Sequence, residues 1–139
     1  MFNLIIRYFG FLKHVPLVPH LYDALLKIQV FFTNRALLNY MDDVTEQVSE
    51  WQNITISTHK YGGTQFNLND VELGHLHGNG LLDVLLNREV KTDLMRNHNI
   101  LDHHTFKNSG WISFRIKRSD DRNIAIEILE RAYMFRQKR

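Results

Sequence analysis

The chain has 139 residues, 44% of them hydrophobic and 23% charged; this is the size and composition of one folded domain, and it excludes disordered, collagen-like and repeat architectures. There is no cysteine, so disulfides, thiolate metal sites and a cysteine nucleophile are excluded together. The formal charge of +2 belongs to residues 1–34, with three basic side chains and one acidic, while the other 105 residues carry 14 of each sign; that balance argues against nucleic acid as a partner, which needs a clustered basic patch.

The expected organisation is an N-terminal apolar helical segment, 1–34, followed by one α+β domain, 35–139. Residues 1–18 are apolar, but Arg7 and Lys13 break them into pieces far short of the roughly 20 residues of a membrane span. They also lack the basic start and small-residue cleavage site of a secretory signal. They are read as a helical lid or partner-contact segment. Their aromatic residues, Phe2, Tyr8, Phe9 and Phe11, leave self-association or a peripheral membrane contact through residues 1–34 open. The expected location is the cytoplasm, with that membrane contact as an addition.

Pro19 suits the first position of a helix, where its missing N–H costs nothing. From there to about Phe32, Leu21, Leu25, Ile28 and Phe32 recur at helical spacing, predicting one amphipathic helix. Thr33 or Asn34 can cap the next, from Arg35 to Trp51, with Leu37, Tyr40, Met41, Val44, Val48 and Trp51 on its apolar stripe. After Asn53 the period becomes two. Strands are predicted over 54–58, 64–68 and 71–77, joined by Gly62-Gly63 and Asn69-Asp70 as an antiparallel meander. Leu81 to Leu86 is too apolar for a solvent loop. Asn87 caps a helix running through Arg96, with Val90 and Leu94 inward. Trp111 to Lys117 alternates as a later strand, and Ser119 caps a last helix that buries Ala125, Ile128, Leu129, Ala132 and Tyr133. The order predicts an α+β fold: helices packed on one face of a small antiparallel sheet made of the three-strand meander and one later strand. The other face then needs cover from the N-terminal segment, a partner or a ligand.

His75 and His77, two residues apart on a strand, project to one side, a spacing that metal sites use. His59, His103 and His104 are further candidates. Glu72 is expected on the opposite face and Asp83 beyond a turn, so no carboxylate joins the histidines. They are read as a metal-free polar pocket, with a metal site and purely structural hydrogen bonding as the alternatives. In that pocket His75, His77 and His104 are the candidate catalytic groups, histidine being the general base suited to physiological pH. His59, Trp111 and Arg115 are candidate ligand-binding residues; the last two could form a stacking and charge-holding wall for a planar anionic ligand. Ser109 reads as a turn residue. No cofactor is indicated.

The runs HKYGGTQF (59–66), ELGHLHG (72–78), HH (103–104) and SGWISF (109–114), followed by a helix reaching Tyr133, resemble the luciferase-like domain family. That family comprises small bacterial proteins and also the fungal luciferase, an oxygenase that acts on a hydroxypyrone without a metal or organic cofactor. The resemblance runs from about residue 50 to the C-terminus. It implies a small planar organic ligand in a His-rich pocket, with cofactor-free oxygenase or acid–base chemistry, and adds Tyr61 and Gln65 to the candidate ligand-binding residues. At those two positions the family's pattern carries a Phe and an acidic residue. A more distant similarity, to the YjbR-like double-wing proteins, implies nucleic-acid binding, which the charge balance opposes. The different-class alternative is a non-catalytic module that docks on a protein or membrane through its N-terminal helices.

Overall fold

A computed structural model describes residues 15, 17–97, 100–103 and 109–138 of the chain. Most of the predicted 1–18 lid segment, and His104, therefore lie outside the described residues. Four helices are described: α1 (Val18–Thr33), α2 (Arg35–Ser49), α3 (Arg88–Asn97) and α4 (Ser119–Gln137). Six strands accompany them: β1 (Ile54–Thr58), β2 (Thr64–Leu68), β3 (Val71–Leu76), β4 (Leu81–Leu85), β5 (Leu101–Asp102) and β6 (Trp111–Arg115). The strands form one sheet in the order β1-β2-β3-β4-β6-β5, and every pairing is antiparallel.

The α+β reading holds, and the sheet is larger than the sequence indicated. Leu81–Leu85 is a strand that extends the meander to four, and Leu101–Asp102 adds a short edge. The turn between β2 and β3 has Asn69 and Asp70 at φ +48° and +65°, the pair of left-handed residues that a two-residue hairpin matched to strand twist requires.

One face of the sheet is apolar. Phe66, Leu68, Leu82, Val84, Ile112 and Phe114 are buried there; α2 lies against β1 and β2, and α4 against β3 and β4. The buried stripes are those read from periodicity, Leu37, Met41, Val44 and Val48 on α2 and Ala125, Ile128, Leu129 and Ala132 on α4. Tyr133 packs on Trp51, ring centroids 5.3 Å apart, and its hydroxyl donates to the Gln52 carbonyl. Asn87 caps α3 as expected, its side-chain oxygen accepting from Val90 N–H at 2.7 Å. At α4 the cap differs. Ser119 is already helical, and Asp121 reaches back to accept from the Lys117 and Arg118 N–H groups, since its carboxylate is a stronger acceptor than a hydroxyl.

Helix α1 is turned the other way from a core-packed helix. Leu21, Leu25, Ile28 and Phe32 are exposed, Phe32 at 79%, and the buried residues are Asp23 and Val30. The polar edge faces in because Asp23 has a specific partner: its Oδ1 accepts from the Gly78 N–H at 2.7 Å. Two glycines permit that approach. A Cβ on Gly62, at φ +86°, would stand 2.6 Å from Asp23 Cβ, and one on Gly78 would stand 2.7 Å from the Asp23 carbonyl oxygen. Among the described residues no helix is long and apolar enough to cross a membrane.

Candidate functional site

The other face of the sheet carries the histidines, and a β-bulge decides who joins them. In the β2–β3 pairing Phe66 faces Gly74 and Asn67 faces Glu72, with a register shift between them. Leu73 is the unmatched residue. A bulge reverses the alternation on either side of the extra residue, so Leu73 is fully buried in the core while Glu72 joins the face of His75. Glu72 Oε1 lies 2.6 Å from His75 Nδ1. The expectation that Glu72 points away is corrected by this one inserted residue.

Asp83 is the second correction. It sits in the middle of β4 directly opposite His75, and is 1% exposed. Its Oδ1 accepts a short hydrogen bond from the Ser113 hydroxyl on β6. Its Oδ2 has no hydrogen-bond partner. Around that oxygen stand three imidazole Nε2 atoms: His75 at 3.5 Å, His77 at 3.5 Å and His103 at 3.7 Å. Adjacent strands place the five groups of this centre: β3 supplies His75 and the residue after it His77, β4 the carboxylate, β6 the serine, and the residue after β5 the third histidine. The histidines therefore have a carboxylate at their centre, and the premise on which they were read as metal-free does not hold.

The outer nitrogens are backed as well. His75 Nδ1 donates to Glu72, and His77 Nδ1 lies 3.8 Å from Asp23 Oδ1 on α1. His59 follows β1 and stacks flat on His75, centroids 3.8 Å apart and planes 6° apart, with its Nε2 3.8 Å from Glu72. Trp111 lies beside His75 and His103, at 5.8 and 5.9 Å between centroids.

The electrostatics follow from burial set against these contacts. Burial opposes the charge on Asp83, but His75, His77 and Ser113 together outweigh it and hold its carboxyl far below the usual range. Burial likewise opposes protonation of His77, yet Asp23 and Asp83 outweigh it and raise its pKa to about 9. His75 is raised in the same manner by Asp83 and Glu72. His59 goes the other way: burial and then the neighbouring His75 charge lower it to about 4. Glu72 is lowered, its contact with His75 overcoming the cost of burial.

The remaining sequence candidates fall at different distances from this centre. Tyr61 is exposed, its ring 5.4 Å from that of His59. Gln65, paired with His75 across β2–β3, donates to Asn67 Oδ1 at 2.6 Å, and Asn67 donates to Ser57 Oγ. Arg115 is on the same face as Trp111 and Ser113 but exposed, its Nη1 3.3 Å from the Asn79 carbonyl oxygen to which it donates. Asp83 and Ser113 were not among the sequence candidates, and His103 was named only as a further ligand. The available signal for Asp83 was a single acid inside the apolar run LLDVLL. A cleft of about 380 Å³ opens between α1, α2 and the sheet, lined by Ile28, Phe31, Leu38, Met41 and Thr64 together with His77 of the cluster.

Residues 70–132 match the Luciferase domain family. The match bears out the family resemblance read from the sequence, over just under half of the chain. The matched stretch runs from the β2–β3 turn into α4 and holds Glu72, His75, His77, Asp83, His103 and Ser113; His59, Tyr61 and Gln65 precede it. No curated protein and no solved structure matches the chain.

Proposed function

We propose that the polar sheet face is the catalytic site of a luciferase-domain protein that takes a small planar organic ligand. The observation that carries the reading is Asp83, a carboxylate in the middle of a strand, almost wholly buried, with one oxygen unpartnered and three imidazoles turned toward it. Burying such a charge costs several kcal/mol, and a well-packed apolar residue is often the more stabilising choice. Its presence supports a chemical role, since groups held in this way cluster at functional sites. The centre made by His75, His77 and Asp83 acts on an acidic O–H or C–H of the ligand. Trp111 and, beside His59, Tyr61 give flat walls for stacking, while Arg115 at the end of the face meets an anionic substituent. Gln65, opposite His75 on the neighbouring strand, flanks the ligand face.

The test is a titration of untagged protein with planar enolic heterocycles, hydroxypyrones among them, followed by tryptophan fluorescence. Saturable quenching that is lost in Trp111→Phe and weakened at least tenfold in His75→Ala is the expected result. Absence of saturable binding by the whole panel, or quenching that both variants retain, would overturn the reading.

A second reading has one observation in its favour, the outward apolar stripe Leu21, Leu25, Ile28 and Phe32 on α1. In that reading the helix is a docking surface for a membrane or a second protein. Co-sedimentation with phosphatidylcholine–phosphatidylserine vesicles that is abolished by Leu25→Ser together with Phe32→Ser would support the membrane form; no sedimentation would remove it.

A further inference from the structure

His75, His77 and Asp83 do not have the separations of a hydrogen-bonded cluster. If protonated imidazoles simply paired with the carboxylate, their Nε2–H groups would approach Oδ2 to about 2.7–2.9 Å, the distance of a charge-assisted bond. Both stand at 3.5 Å, His103 stands at 3.7 Å, and the oxygen they share has no hydrogen-bond partner. Those are the spacings of atoms bound to a common centre: ligands about 2.0–2.2 Å from a tetrahedral ion lie about 3.3–3.6 Å from one another. The three ligand atoms of His75, His77 and Asp83 all fall within 4.8 Å of one another.

The surroundings match in kind. A metal-bound imidazole usually donates its other N–H to a carboxylate, and a ligating carboxylate is itself hydrogen-bonded. Here Glu72 takes His75 Nδ1 at 2.6 Å, Asp23 stands behind His77 Nδ1, and Ser113 holds the oxygen of Asp83 that faces away from the histidines. The other three-residue grouping, His59, Glu72 and His75, is less suited, because the Glu72–His75 contact is already at hydrogen-bond distance.

We infer that His75 Nε2, His77 Nε2 and Asp83 Oδ2 bind a divalent first-row transition metal, with His103 at its flank. Two histidines and one carboxylate with positions left open is a ligand set used by iron(II) and, with glutamate as the carboxylate, by zinc. The inference rests on the same face as the ligand-site reading and deepens it: the metal becomes the electrophile against which the planar ligand's oxygen is held, in place of the metal-free pocket expected from the sequence.

The test uses full-length, untagged protein purified without chelator. Its metal content is measured by inductively coupled plasma mass spectrometry, as isolated and after separate loading with zinc(II) and, without oxygen, iron(II). Binding of one of these at about one equivalent per chain is expected. Glu72→Gln, which preserves the shape behind His75, should weaken binding by about 10- to 100-fold, and Asp83→Asn, isosteric at the ligand, should abolish stoichiometric uptake. Folding of each variant is checked by circular dichroism. A folded wild-type protein that takes up neither metal overturns the inference, as does full uptake by folded Asp83→Asn. Hydroxypyrone binding by a folded protein that takes up neither metal would defeat the metal and leave the ligand site standing; metal uptake without any ligand binding would do the reverse.

Discussion

Replacing Gly62 by alanine should release α1 from the rest of the protein. Gly62 has φ +86°, where an L-residue with a Cβ costs roughly 1–2 kcal/mol. The added Cβ would lie 2.6 Å from Asp23 Cβ and 2.8 Å from the Pro19 carbonyl oxygen, about 1 Å inside the usual carbon contact distance of about 3.5–4.0 Å. Accommodating it with the helix in place adds about 1–3 kcal/mol of overpacking. Against that total of about 2–5 kcal/mol, the helix holds on through little. Its buried residues are Val30 and Asp23, worth about 1.5–3 kcal/mol for the valine and about 1.5–3 kcal/mol for the hydrogen bond from Gly78 to the carboxylate. Strain and docking are therefore of similar size, and the outcome is local: α1 opens while the sheet and its helices stay folded. Native-state hydrogen exchange resolves this directly. Amide protection over 18–33 should fall by about 30-fold or more, the equivalent of about 2 kcal/mol, with β3, β4 and α4 unchanged. Unaltered protection in α1 would refute the packing argument, and an equal loss across the whole chain would refute the claim that the helix is held separately.

Two further substitutions test the parts that support the site. Phe66, fully buried against the helices on the apolar face, should cost about 3–5 kcal/mol as Phe66→Ala, read from urea unfolding; a loss below about 1 kcal/mol would mean that this face is not the core. Lys91 donates to the Ser109 and Trp111 carbonyls at 2.8 and 3.1 Å and pairs with Asp102 at 2.5 Å, tying α3 to β6, which carries Trp111, and to β5, which His103 follows. Lys91→Met leaves those acceptors without the ammonium and should cost about 2–3 kcal/mol, with a changed near-ultraviolet circular dichroism of Trp111; an unchanged spectrum and midpoint would show that the tie does not position them.

Periodicity made the helices and the first three strands legible, because α2 and α4 each bury one stripe and the β2–β3 hairpin has its Asn69-Asp70 turn in the sequence. Three features were not legible for physical reasons. Leu81–Leu85 is buried almost throughout, so it shows no alternation and conceals both a strand and the acid at its centre. Glu72 was assigned to the wrong face because strict alternation runs through Leu73, and the bulge there appears only when β2 is paired with β3. On α1 the stripe Leu21, Leu25, Ile28 and Phe32 was correctly seen, but a stripe does not say which way it faces; Asp23, bound to Gly78 in the interior, settles that direction. His75 and His77 were singled out by their spacing, and His59, His103 and His104 were named beside them without a positional argument. What assembles them, Asp83 with Ser113 beneath it and His103 from beyond β5, comes from strands far apart in sequence and needed the sheet order to be visible.

The proposal that His75, His77 and Asp83 form one binding centre on the polar face has a direct spectroscopic test. Cobalt(II) titration of the metal-stripped, untagged protein, followed by visible absorption, addresses it most directly, since cobalt(II) reports the number and kind of its ligands. Saturation at about one equivalent is expected, with the strong bands of a low-coordinate nitrogen–oxygen site that folded Asp83→Asn does not develop. Folded wild-type protein that develops no saturable absorption would contradict the proposal.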